Sequence, residues 1–304
     1  MPAAGEREPV GVLLVDKPGG VTSHDVVARA RRALGTRKVG HAGTLDPMAT
    51  GLLVLGVGAA TRLLTYVVGL DKTYEATIRL GVATDSDDAD GEVVARAEPR
   101  LVADATIEDV AAGVARLTGA ISQVPSTVSA IKVAGRRAYD LARAGEAVDL
   151  APRDVVVERF LVADVRRGDG VLDLDVVVDC STGTYVRALA RDLGRDLGVG
   201  GHLTALRRTR VGPFSVSDGA GADALSADAL LAPARAAVRV LDPLEVTLDE
   251  ARDLRHGKRL VGAAARVPGV LAAAIAPDGA LVGVVERRGA DLKSAMNMPE
   301  ETAP

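Results

Sequence analysis

Residues 73–80 alternate without a break. Tyr74, Ala76, Ile78 and Leu80 point one way, and Thr73, Glu75, Thr77 and Arg79 point the other. A strict period of two is the pattern of a strand with one buried and one solvated face. Such a strand is not stable alone or in a pair, so the chain must build a sheet around it. Tyr74 falls on the buried face at the mouth of the strand, where a tyrosine hydroxyl needs a hydrogen-bond partner. On the residues alone it is either a core tyrosine or a site residue.

The rest of the chain supplies more strands and the helices to cover them. Residues 10–16 are a short apolar run closed by Lys17-Pro18-Gly19-Gly20, a strand running into a turn. Thr22 followed by Asp25 predicts a capped helix start. Val26, Val27, Ala30 and Leu34 then give its apolar face, and Gly35 its end. A buried strand is expected over 51–57, a short helix over 59–68 and a helix over 107–117. Two strands follow over 155–165 and 171–180. The next helix carries the stripe Val186, Leu189, Ala190, Leu193 and Leu197. Residues 217–237 read as Ala- and Asp-rich helix, and 246–284 as a small α/β unit. The tail 291–304 is expected to be disordered. Asp85 to Gly91 fails the calcium-loop spacing and reads as an acidic hairpin turn.

Composition narrows the function. The net charge of −4 argues against a general nucleic-acid binder. Three basic clusters (Arg29, Arg31, Arg32, Arg37 and Lys38; Lys132, Arg136 and Arg137; Arg207, Arg208 and Arg210) still favour a phosphate-bearing partner. Lysine is scarce: Lys17, Lys38, Lys72, Lys132, Lys258 and Lys293 are all there are. Four of these fall in motif stretches, a hint of sites where arginine does not substitute. A single cysteine, Cys180, excludes an internal disulfide and a multi-cysteine metal site. The N-terminus is polar and not a signal peptide, and no uncharged run is long enough to span a bilayer. The chain is therefore expected to be cytoplasmic.

One turn could carry chemistry. In Gly40-His41-Ala42-Gly43-Thr44-Leu45-Asp46-Pro47-Met48-Ala49-Thr50-Gly51, Pro47 pushes Asp46 toward an extended conformation and the glycines allow close approach. Asp46 is either a presented carboxylate or an ordinary turn residue. Arg187 sits in the first turn of a helix, where a cation meets the positive end of the dipole. A docked acid would offset that cost; otherwise Arg187 extends to solvent.

Lys17-Pro18-Gly19-Gly20-Val21-Thr22-Ser23-His24-Asp25, the 40–51 block, Lys72-Thr73-Tyr74 and Gly183-Thr184-Tyr185-Val186-Arg187 occur in this order and spacing. Together they resemble the TruB-type tRNA pseudouridine synthases, the bacterial tRNA pseudouridine-55 synthase family, over residues 10–215. The resemblance implies an α+β fold. Its catalytic domain, 1–240, would have a mixed, largely antiparallel sheet, with an RNA-gripping insertion at about 121–150. A small PUA-like domain would cover 241–290. The implied activity is isomerisation of uridine 55 in the TΨC arm of tRNA. No cofactor, metal or obligate protein partner is implied, and the enzyme would be a monomer that does not engage a membrane.

Carried over residue by residue, Asp46 matches the nucleophile. Tyr74 matches the tyrosine that stacks on the base and is implicated in removing the C5 proton. Arg187 matches the arginine that pairs with the aspartate. Tyr185 and Leu206 match the lining of the base pocket, and His41 a histidine near the flipped nucleotide. Lys17 and Pro18 match a motif that supports the catalytic loop. Arg31, Arg32, Lys132, Arg136 and Arg208 are candidates for the RNA backbone. Two other readings stand beside this one: an RNA-binding or tRNA-folding protein with secondary catalysis, and a guide-RNA-dependent synthase.

Overall fold

The computed structural model describes residues 8–127, 132–133, 136–137 and 150–300. In chain order the strands are β1 (Gly11–Lys17), β2 (Val39–Ala42), β3 (Thr50–Val57), β4 (Lys72–Leu80), β5 (Val82–Thr84), β6 (Val93–Arg96), β7 (Gly119–Gln123), β8 (Lys132–Val133), β9 (Arg136–Arg137), β10 (Arg153–Gly168), β11 (Val171–Cys180), β12 (Gly201–Val211), β13 (Phe214–Ser215), β14 (Ala220–Gly221), β15 (Asp242–Glu245), β16 (Leu271–Ile275), β17 (Leu281–Arg288) and β18 (Asp291–Asn297). The helices are α1 (Ser23–Ala33), α2 (Leu64–Val67), α3 (Pro99–Asp104), α4 (Ile107–Arg116), α5 (Val186–Asp196), α6 (Pro233–Val240) and α7 (Leu248–Arg255). The chain divides into two units, one of residues 1–46, 52–68 and 212–304, the other of 47–51 and 69–211.

The first unit holds strands in the order β14-β1-β3, with β2 antiparallel on β3. α1 begins as its sequence requires: the Thr22 hydroxyl accepts from the Asp25 N–H, and the Asp25 carboxylate accepts from the Thr22 N–H. Its Val26, Val27, Ala30 and Leu34 join Leu13, Val15, Leu53, Leu55 and Val57 in one core. Burial of each large side chain there is worth about 1.5–3 kcal/mol. The same unit contains a separate four-stranded sheet, β15-β16-β17-β18, with its own core around Leu254, Val282, Val285 and Leu292.

In the second unit β12, β4, β11, β10 and β7 lie side by side, each antiparallel to the next. The first two residues of β3 run parallel to β12, pairing Thr50 with Arg207 and Gly51 with Arg208. β4 has the predicted alternation, with Tyr74, Ala76, Ile78 and Leu80 all buried. Mixed sheets with helices make the fold α+β, as expected.

Two expectations are corrected. Residues 217–237 are not one helix: only Pro233–Val240 is, preceded by 3₁₀ turns and the short strand β14. Gly219, Gly221, Asp223, Ser226 and Asp228 favour turns and caps over helix interior. The tail is not disordered from 291, because β18 pairs with β17, placing Leu292 opposite Arg287. The RNA-gripping insertion expected at about 121–150 lies largely outside the described residues.

Candidate active site

Asp46 ends the first unit's loop after β2 and is half-buried. Gly43, at φ 88°, turns the chain where a side chain would be strained. Leu45, only 3% exposed, is fixed through both of its peptide groups: its N–H donates to Ser23 Oγ at 2.9 Å, and Ser23 Oγ donates to its carbonyl at 3.1 Å. Ser23 is the first residue of α1 and is itself buried. Upstream, the fully buried Lys17 donates from Nζ to the carbonyls of Pro18 (3.0 Å) and Val21 (2.7 Å). It thereby closes the turn that delivers Ser23, while Pro18 stays exposed. His41 stands opposite Leu55 on β3 and meets the exposed His24 edge-on, with ring centroids 5.6 Å apart. Arg31 and Arg32 are exposed on α1, and Arg31 Nη2 also donates to the Val39 carbonyl.

In the second unit Tyr74 lies between Val178 on β11 and Arg208 on β12. Leu206 is paired with Ala76 on the same face and is buried. Leu206 also lines a cavity of about 650 Å³ with Met48, Thr50, Glu75 and Arg207. Lys72 stands beside Cys180 and Val211. Burial, with the Arg208 charge nearby, lowers the Lys72 ammonium to about 8. Tyr185 caps α5, and the Gln123 side chain brackets it: Oε1 accepts from the Tyr185 N–H (2.9 Å) and Nε2 donates to its carbonyl (3.1 Å).

Arg187, one residue into α5, is 3% exposed and does not extend to solvent. Its Nη1 donates to the Ser86 carbonyl at 2.9 Å and lies 3.2 Å from Asp88 Oδ2. The turn between β5 and β6 is thus more than an acidic hairpin. Ser86, Asp87 and Asp88 are buried. Asp88 is held by the Ser86 hydroxyl at 2.5 Å and the Asp90 N–H at 3.1 Å. Asp87 adopts φ 62°, alone among the described non-glycine residues in having positive φ. One helical turn after Arg187, Arg191 lies 3.2 Å from Asp87 Oδ2 and donates to the Val124 carbonyl at 2.7 Å. Burial raises the Asp87 carboxyl above its ordinary range, and the Arg191 charge opposes that.

Asp88, Asp87, Arg191, Gln123 and Ser23 are residues of the candidate site that sequence reasoning did not single out. The sequence signalled an acid near Arg187, since a cation at a helix start calls for one, but not which acid. One expectation changes: Arg208 is 1% exposed, so it is a core residue of β12 and not a surface contact for phosphate. Lys132 and Arg136 lie on the paired two-residue strands β8 and β9. Among the described residues no group of His, Cys, Asp and Glu could hold a metal ion. No described helix is long and apolar enough to cross a membrane.

Comparison with known sequences decides the family. The signature of the TruB family pseudouridylate synthase N-terminal domain matches residues 31–186. The chain belongs to the TruB family. Two TruB-family C-terminal signatures match residues 187–249 and 241–299. The chain is 56% identical to the tRNA pseudouridine synthase B of Leifsonia xyli subsp. xyli over 96% of this chain and 97% of that one. It is 57% identical to that of Nocardia farcinica, over 92% and 90%. As a member of this family it is a pseudouridine synthase, an isomerase. Its fold matches a solved Cbf5-Nop10-Gar1 complex with a TM-score of 0.70 at 23% identity, covering 96% of this chain and 84% of that one.

Proposed function

We propose that this TruB-family enzyme converts uridine 55 in the TΨC arm of tRNA to pseudouridine, with Asp46 as the nucleophile. The reading is carried by the intact Asp46, Tyr74 and Arg187 in a chain that matches relatives named tRNA pseudouridine synthase B over more than nine-tenths of its length. The reaction breaks the N1–C1′ bond, turns the uracil and joins C5 to C1′, with no net gain or loss of atoms. An ionised carboxylate can attack the sugar or the base, or assist glycal formation. Arg187 keeps that carboxylate ionised by charge pairing. A guanidinium offers five donors in a fixed fork, so one arginine can engage more than one acceptor.

The base must leave its stack to react. Tyr74 gives it an aromatic wall, and Tyr185, Leu206 and His41 line its place. Arg31, Arg32, Lys132 and Arg136 hold the RNA backbone. The enzyme acts in the cytoplasm as a monomer, without cofactor or protein partner. The test is Asp46→Asn in the purified protein on an unmodified tRNA transcript. Pseudouridine formation is abolished and tRNA binding survives; turnover at the wild-type rate contradicts the assignment.

A further inference from the structure

The Lys17–Asp25 motif contributes something its support role does not cover. Ser23 is 1% exposed, and its hydroxyl makes both bonds to the peptide groups of Leu45, the residue directly before Asp46. A hydroxyl has one proton to give and lone pairs to accept with, so a single side chain can satisfy a neighbouring N–H and C=O together. The lock has a rigid base. α1 is fixed at its start by the Thr22–Asp25 capping box, at 3.1 Å and 2.8 Å, and along its length by the core. Lys17 fixes the turn leading into it. On the far side of Asp46, Pro47 fixes its own φ and restricts the backbone of Asp46. Asp46 therefore has two flanking residues with little freedom, and Leu45 owes its restraint to a distant side chain.

We propose that Ser23 is a positioning residue for catalysis: through its two bonds to Leu45 it sets the direction in which the Asp46 carboxylate is presented. The inference rests on the assignment of Asp46 as nucleophile. Losing the hydroxyl leaves the Leu45 N–H and carbonyl buried without that partner, and the loop relaxes to find others. A small displacement of a reacting group is costly in rate, while binding through the rest of a large RNA surface is little affected by it.

The test compares Ser23→Ala, Ser23→Cys, Asp46→Asn and Thr106→Ala. Thr106 caps α4 as Thr22 caps α1, with Asp109 as its partner, so it controls for loss of a helix-start hydroxyl. Single-turnover rate on tRNA, tRNA affinity, melting temperature and amide exchange at Leu45 are read for each. Ser23→Ala is expected to slow the single-turnover step by about ten- to a hundredfold. Its affinity should stay within about twofold of wild type, and Leu45 exchange should quicken. Ser23→Cys, with its weak donor and acceptor, should fall between, and it carries the test if the alanine variant does not fold. Thr106→Ala should keep its rate. A wild-type rate in folded Ser23→Ala, or an equal rate loss in Thr106→Ala, overturns the proposal. Turnover by Asp46→Asn instead overturns the assignment beneath it.

Discussion

The Arg187 guanidinium lies 3.2 Å from Asp88 Oδ2, with both residues buried. A cation at the start of α5 is thereby matched by an acid from the turn between β5 and β6. Removing one partner of a buried pair takes away the interaction that offset the burial cost of the other. Asp88→Ala is expected to destabilise the protein by about 3–5 kcal/mol in urea denaturation, and to lose most of its turnover because Arg187 loses one of its anchors. A loss under about 1 kcal/mol, the range of surface pairs, contradicts this picture.

Arg191 and Asp87 form the adjoining pair, tied to Val124. Arg191→Ala and Asp87→Asn should each lower stability, and the double variant should be less damaged than their sum. A double-mutant cycle is expected to give a coupling of about 0.5–3 kcal/mol. Strict additivity shows that the two side chains act separately.

Gly51 adopts φ 100°, and a Cβ there would sit 2.2 Å from the Arg208 carbonyl oxygen on β12. The clash is with backbone in a paired strand, so no side-chain rotation relieves it. Gly51→Ala is expected to cost about 3 kcal/mol or more, read by denaturation. A near-neutral result contradicts the close pairing of β3 with β12.

Lys72, lowered to about 8 by burial and by Arg208, gives a pH signature. Below that value it is protonated in folded and unfolded chains alike, and the burial cost is fully present. Between about 8 and the ordinary 10.5 only the unfolded chain keeps the proton, so stability from this site rises with pH. Lys72→Met removes the titration. The stability of wild type relative to Lys72→Met should improve by on the order of 1–2 kcal/mol between about pH 7.5 and about pH 9.5. A difference that does not move contradicts the lowered value.

What is legible in the sequence is local. The Thr22–Asp25 cap, the alternation of β4 and the apolar stripe of α5 each depend on neighbours a few residues away. The sequence misleads where composition competes with periodicity. Residues 217–237 hold many alanines, but their Gly, Asp and Ser residues favour turns over helix interior and break the helix. The burial of Arg208 could have been read from spacing: Leu206 and Arg208 are two apart on one strand and share its buried face. Asp88 is not assignable from sequence, because charge alone does not say which acidic turn packs against which helix. Ser23 is hidden for a similar reason. Its motif announces a helix start, and nothing in it points to Leu45, twenty-two residues on.

The central claim is the site of reaction. Purified protein is incubated with an unmodified tRNA transcript, no other protein or RNA being present, and pseudouridine is mapped at every uridine. The expected result is conversion at uridine 55 of the TΨC arm. Conversion at a different uridine, or none without an added guide RNA, would contradict it.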